Sequence, residues 1–314
     1  MKRILYLSHA PAEVYSIIRD AVPEQFELVT LDQNSDDERR EKIGQCEVVI
    51  VAATPLRKPM IDAAQRLELV HHQGVGWQDT TDHIELKRRA IPLALTPEGT
   101  TVGVAEHTIL LMLAALKLLP FADNELRNGR FHVNALRPIS RELSGLTVGY
   151  IGMGRIAQAV AQRLSAFGAQ GIFFDPAVST VNGLQRKSFE QVLQEADIIT
   201  LHLPLTAETR HLIGAAEIAQ MKRGAYLINA ARGGLIDEAA LESALKSGHL
   251  AAAALDVFES EPVLAGHPLS HLKNIVLTPH IAAGTRDALQ TKMRALFSNV
   301  QRFYRGEPLQ NRVF

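Results

Sequence analysis

Short apolar runs recur from one end of the chain to the other, each separated from the next by a segment with helical spacing. This alternation constrains the fold more than any other feature. Residues 4–7, 26–30, 48–52, 69–72 and 92–95 read as strands, and 13–21, 61–66 and 84–89 as helices. A second series begins with strand 147–151 and helix 155–166. It continues through strands 171–174, 198–201, 226–229, 251–256 and 275–278, with helices at 189–195, 215–220 and 238–247. A last amphipathic helix spans about 285–304. Strands as apolar as 48–52 are buried on both faces, which requires helices above and below a parallel sheet. The expectation is an α/β fold with two doubly wound parallel-sheet domains, and 314 residues are the right length for two.

Residues 101–119 are apolar almost throughout, with Glu106, His107 and Lys117 as exceptions. A helix apolar nearly all round is buried on several sides, here against a second domain or a second subunit. Residues 128–138 are polar, basic and turn-rich, and read as a loop. With 33 basic and 34 acidic residues there is no overall attraction to nucleic acid or to an anionic membrane. Cys46 is the only cysteine, so no internal disulfide forms, which fits a reducing compartment. The first nine residues carry two positive charges and an apolar stretch shorter than a signal peptide needs, so they read as a strand. The apolar stretch 108–116 is far below the ~20 residues that cross a bilayer. A cytoplasmic protein is expected. His71 and His72 are adjacent on a strand, face opposite ways and cannot share a metal; no Cys/His cluster has zinc spacing.

Strand 147–151 runs into Gly152-Met153-Gly154-Arg155-Ile156-Ala157, the pattern G-x-G-x-x-A. Gly152 permits the tight turn, Gly154 lets backbone approach a pyrophosphate, and Ala157 is small enough for close helix–strand packing. The helix that follows directs its free N–H groups and positive dipole end at the phosphates. The next strand ends in Asp175, 23 residues after Gly152, where a carboxylate bonds the adenosine ribose of NAD and repels the 2′-phosphate of NADP. Pro176 follows, where a basic residue would favour NADP. The context marks a Rossmann dinucleotide site with NAD as cofactor.

Five stretches, in order, now resemble the D-isomer-specific 2-hydroxyacid dehydrogenase family. They are 143–157, Leu201-His202-Leu203-Pro204-Leu205-Thr206, 227–234 (Leu-Ile-Asn-Ala-Ala-Arg-Gly-Gly), 254–258 with Glu261-Pro262, and Thr278-Pro279-His280-Ile281-Ala282. Gly74-Val75-Gly76 and Val104-Ala105-Glu106 extend the resemblance into the first part of the chain. The resemblance implies a flavodoxin-like substrate domain made of 1–97 plus 283–314, a Rossmann cofactor domain of 98–282, a cleft between them that closes over NAD and substrate, and a homodimer. It also implies hydride transfer between NAD and a 2-oxo or D-2-hydroxy acid.

Chemistry assigns the parts. A 2-oxo acid needs a cation for its carboxylate and carbonyl, and a proton donor at the carbonyl oxygen. Arg232, after a near-apolar strand, has the planar fork that grips a carboxylate bidentately. His280, at another strand end, carries an imidazole, the side chain whose ordinary pKa lies near neutrality, and suits the acid/base role. Glu261 is the expected partner of the second His280 ring nitrogen, which would orient the ring and raise its pKa. Glu259 is a rival that spacing does not exclude; the family pattern favours Glu261, directly before Pro262. For the cofactor, the resemblance implies Thr101, the turn Gly152, Gly154, Arg155 and Ile156, then Asp175, Pro176, Leu203, Pro204 and Thr209. Ala230, Ala231, Arg232, Asp256 near the nicotinamide carboxamide, His280, Ala282 and Ala283 complete that set. For the substrate it implies Thr54, Leu56, Val75, Gly76 and Trp77, with Arg232 and His280. Trp77 stands where members often have a smaller residue, and either lines the pocket or packs under its loop. The chain ends 34 residues after His280, too soon for the regulatory domain some members carry. Two other readings stay open: an NAD(H)-sensing corepressor-like protein of the same fold, and a phosphonate- or formate-type dehydrogenase. The formate branch is disfavoured because it has Gln at the position of Glu261.

Overall fold

The computed structural model describes residues 1–131 and 134–314. The part of the expected loop 128–138 at His132 and Val133 lies outside the described residues. The chain divides into two compact units, Met1–Thr100 with Gly284–Phe314, and Thr101–Ala283.

The first unit alternates β1 (Lys2–Tyr6), α1 (Ala12–Arg19), β2 (Phe26–Val29), α2 (Asp36–Ile43), β3 (Val48–Val51), α3 (Lys58–Ala63), β4 (Leu69–His72), α4 (His83–Arg88) and β5 (Leu93–Leu95). All its strand pairs are parallel, in the order β2-β1-β3-β4-β5. Successive side chains of a strand point to opposite faces. Leu5 and Leu7 accordingly join a core with Val49, Val51, Ile61 and Leu86, while Ile4 and Tyr6 join the core on the other face with Ile50, Tyr15 and Ile18. Helix α2 carries no apolar pattern that would announce it: only one of its eight residues is apolar. It forms because Ser35 caps it by accepting from Glu38 N–H, and because the buried Arg39 donates Nε–H to Leu7 O at 3.1 Å.

The second unit opens with α5 (Thr100–Lys117) and α6 (Leu119–Arg127). The expected helix 101–119 is thus two, broken where Leu118 adopts a left-handed φ of 50°. By length and composition alone α5 could cross a membrane, but more than half of it is buried in the structure. Ala105, Ile109, Met112 and Leu116 pack into the core of their own unit, whereas Val102 and Leu110 are exposed. Then follow β6 (Thr147–Ile151), α7 (Arg155–Leu164), β7 (Gln170–Phe174), β8 (Gln185–Arg186), α8 (Phe189–Glu195), β9 (Ile198–Leu201), α9 (Ala215–Gln220), β10 (Ala225–Asn229), α10 (Glu238–Lys246), β11 (Leu250–Leu255) and β12 (Ile275–Leu277). The seven strands are parallel in the order β12-β11-β10-β9-β6-β7-β8. The order reverses between β6 and β9, the position where open α/β sheets bind ligands. Helix α11 (Arg286–Tyr304) returns to the first unit, burying Met293, Leu296, Phe297 and Val300 against β1 and β3.

Candidate active site

The turn after β6 is shaped by two glycines with different jobs. Gly152 has φ 89°, and a Cβ there would lie 2.5 Å from His202 O, so backbone packs where a side chain would stand. Gly154 has nothing within 4 Å of its Cβ position. That free space is a cradle at the start of α7, whose first-turn N–H groups lack helical partners. Ala157 is fully buried, as close helix–strand packing requires. Asp175 Oδ2 accepts from Met153 N–H at 2.7 Å, and Oδ1 accepts from Ala177 and Val178 N–H at 2.8 and 2.9 Å. Burial works against its charge, but these amides and Arg186 outweigh it and hold the carboxyl below its ordinary range. A pyrophosphate cradle followed by an ionised acid at the next strand end fits NAD. Leu203 packs against Gly152, while Thr209 Oγ1 donates to Pro204 O at 2.7 Å, closing the loop after β9.

The Arg232 turn follows β10 and is held by a residue that no motif singled out. Asn229, fully buried, accepts from Ala231 N–H at 3.0 Å and donates to Arg232 O at 2.8 Å. Its place in Leu-Ile-Asn-Ala-Ala-Arg is the signal that could have found it, a polar residue ending an apolar strand. Gly233 is needed for close approach: a Cβ there would sit 1.8 Å from Phe258 C. The backbone carrying Arg232 therefore rests directly on the backbone that leads to Glu261. Ala230, Ala231 and Arg232 are half-buried, and Arg232 Nη1 donates to Ala231 O at 2.9 Å.

Glu261 and His280 meet. His280 Nδ1 lies 2.8 Å from Glu261 Oε2, with the imidazole 48% exposed and able to receive a ligand. Phe258 N–H donates to Glu261 Oε1 at 3.0 Å. Burial would raise the Glu261 carboxyl; the hydrogen bond and charge of His280, the Phe258 amide and the Arg232 guanidinium outweigh it and lower it. Glu259 is placed elsewhere, accepting from Glu238 N–H at 3.2 Å and lying 3.0 Å from His211 Nε2. His280 has a left-handed φ of 54°, which for a residue with a Cβ costs about 1–3 kcal/mol and needs surroundings that enforce it. By contrast His71 is buried and His202 half-buried, and desolvation pushes them down to about 3 and about 4, so both are neutral.

Asp256 is fully buried. Its carboxylate accepts from Thr278 Oγ1 at 2.5 Å and from Ile281 and Ala282 N–H at 2.9 and 2.8 Å. Its carboxyl oxygens thus bracket the segment that carries His280. Ala282 is buried and Ala283 half-buried in the same segment. Thr101, half-buried, lies in the first turn of α5.

In the first unit, Thr54 N–H donates to Ser8 Oγ at 2.9 Å, tying the loop after β3 to the loop after β1. Val75 is 41% exposed, and Gly76 O accepts from Thr80 Oγ1 at 3.1 Å. Leu56 has no exposed surface and belongs to the core, and its backbone pairs with Thr80 and Asp82. Trp77 packs on that core and edge-on against His83, with ring centroids 5.1 Å apart.

Comparison with known proteins shows the family. Residues 109–282 match the model of the D-isomer specific 2-hydroxyacid dehydrogenase, NAD binding domain. A D-3-phosphoglycerate dehydrogenase from Archaeoglobus fulgidus is 38% identical over 89% of this chain and 53% of its own length. A glyoxylate reductase from Korarchaeum cryptofilum is 33% identical over 93% of this chain and 91% of its own. The crystal structure of the TT0316 protein from Thermus thermophilus superposes with a TM-score of 0.89 at 32% identity, over 99% of this chain and all of that one. The chain spans about half the length of the phosphoglycerate dehydrogenases it matches. With a matched domain that covers more than half of its residues, the chain belongs to the D-isomer-specific 2-hydroxyacid dehydrogenase family of NAD-binding oxidoreductases.

Proposed function

We propose that the protein is an NAD-dependent dehydrogenase that interconverts a 2-oxo acid and a D-2-hydroxy acid. The observation that carries this reading is the His280–Glu261 pair, 2.8 Å apart, on the same sheet end as Arg232. NADH supplies the hydride for the carbonyl carbon. Arg232 grips the substrate carboxylate and polarises the carbonyl; a guanidinium does both through one planar fork. His280 gives its Nε2 proton to the carbonyl oxygen during reduction and takes it back during oxidation, since Nδ1 faces Glu261. The lowered Glu261 carboxyl stays ionised through the neutral range and so stabilises the imidazolium. Asp175, held anionic, favours NAD over NADP. We assign a first domain, 1–97 plus 283–314, to the substrate, with Thr54, Val75 and Gly76 offering backbone and hydroxyl groups and Trp77 bounding its side-chain space. The second, 98–282, is assigned to the cofactor.

An oligomer is also proposed. Leu110, Leu119, Leu126 and Phe131 on and after α5 and α6 are each more than half exposed, and a homodimer would cover them. Light scattering on the purified protein tests this: a monomer at micromolar concentration removes the proposal. The reaction is placed in the cytoplasm, where fractionation should find the protein.

The deciding experiment is NADH oxidation with glyoxylate, hydroxypyruvate and bulkier 2-oxo acids. Turnover of at least one is expected. A protein that binds NADH tightly yet turns over none of them would be a binding protein of this fold.

A further inference from the structure

We infer that His107, a residue outside the Arg232–Glu261–His280 set, is a positioning residue that holds the acid/base loop in place through Thr278 and Asp256. This rests on the reading of His280 as proton donor.

His107 stands in the second turn of α5, with its side chain 10% exposed. Its Nε2 is 3.0 Å from Thr278 Oγ1 and 3.3 Å from Asp256 Oδ1. The direction of the chain follows from donor arithmetic. The Asp256 carboxyl oxygens accept from the Ile281 and Ala282 amides, and the Thr278 hydroxyl donates to Oδ1 at 2.5 Å, which commits its proton to Asp256. The Thr278 oxygen is then the acceptor for His107, and Nε2 must carry its hydrogen. The line reads His107 Nε2–H to Thr278 O–H to Asp256.

Everything downstream of Asp256 is the His280 segment. His280 N–H donates to Asp256 O at 2.7 Å, Ile281 N–H to Oδ1 at 2.9 Å and Ala282 N–H to Oδ2 at 2.8 Å. Three consecutive amides therefore end on one buried residue, at the place where His280 holds a left-handed φ. Helix α5 touches the same segment a second time, because a Cβ on Gly103 would lie 3.0 Å from Ala282 O. Without the His107 donor the Thr278 oxygen loses its hydrogen bond, and Asp256 Oδ1 loses one of the groups packed against it. The His280 ring would then drift from its productive place, which lowers turnover while the cofactor cradle at Gly154 is untouched.

The test compares His107→Leu, which deletes the donor, with His107→Gln, which keeps an N–H at similar reach. His107→Leu should lower kcat about 10- to 100-fold. NADH affinity, read by fluorescence, should stay within about twofold, and His107→Gln should recover most of the loss. The His280 ring resonances of the cofactor-free protein, assigned through His280→Ala, should move in His107→Leu and return in His107→Gln. That readout needs no turnover, so a wild type inactive on every 2-oxo acid would sink the functional reading without deciding this one. If His107→Leu does not fold, Thr278→Val against Thr278→Ser makes the same comparison one bond nearer Asp256. Unmoved His280 resonances when the donor or hydroxyl is deleted, or conservative variants no better than the deletions, overturn the inference.

Discussion

Asp175 and Asp256 each follow an apolar strand of the same seven-stranded sheet, and the carboxylate of each accepts three hydrogen bonds from nearby N–H or O–H groups. Asp175 stays half-buried beside the Gly152 turn, at the β7 end, whereas Asp256 has no exposed surface at the β11 end. The first can offer its remaining lone pairs to a ligand; the second spends its acceptors on the segment that carries His280. Two acids in like sequence settings thus divide between recognition and support. On the proposed reading the β7 end holds the cofactor, and the β10, β11 and β12 ends carry the chemistry. Substitutions at the chemistry end should cost turnover and spare NADH affinity, and those at the cofactor end should do the reverse.

The largest effect is expected from Arg232→Lys. A point charge does not replace the bidentate fork, so kcat/KM for the 2-oxo acid should fall by roughly 100-fold or more while NADH binding persists. Near-normal kinetics in this variant would take Arg232 out of the chemistry.

Next is the pH profile of Glu261→Gln, followed in both directions. Reduction needs His280 protonated and oxidation needs it neutral, so reduction in the wild type should have the lower pH optimum. Losing the anion destabilises the imidazolium. Reduction should therefore fail at lower pH than in the wild type, and the acidic limb of oxidation should move to lower pH. His280→Ala should lose far more activity than Glu261→Gln, because the proton donor itself is gone. Profiles that superimpose on the wild type would remove Glu261 as the partner.

Asp175→Ala probes the other end. NADH should bind about tenfold more weakly and the preference over NADPH should narrow, with kcat at saturating cofactor close to wild type. Efficient use of NADPH by the unmutated protein would contradict the role given to this carboxylate.

The smallest effects sharpen the contrast at two glycines. Gly233→Ala would push a Cβ into the Phe258 backbone, which should lower Tm by roughly 3–10 °C. Gly154→Ala meets nothing within 4 Å and should leave Tm unchanged while weakening NADH binding. Equal melting temperatures for both variants would mean that the chemistry end is no more tightly built than the cradle.

Much of this was legible beforehand. Strands such as β4, β6 and β9 and helices such as α8 and α9 lie where apolar periodicity places them, because a buried strand or an amphipathic face is written in consecutive residues. The polar α2 escaped that reading since its stability comes from a cap and from one arginine reaching Leu7 O, and α6 escaped because the apolar run continues through the left-handed residue at Leu118. The two-residue β8 is too short to carry a pattern.

By itself the sequence determined the α/β alternation, the glycine turn with Asp175 after the next strand, and the candidate residues Arg232, Glu261 and His280, since each is a local motif at a strand end. The tertiary structure alone decided which of Glu259 and Glu261 reaches His280, that Leu56 is core, that Asp256 faces inward, and that His107 meets Thr278. Those pairings join residues 19 to 171 positions apart, and only the packed sheet and its loops bring their atoms within hydrogen-bond reach.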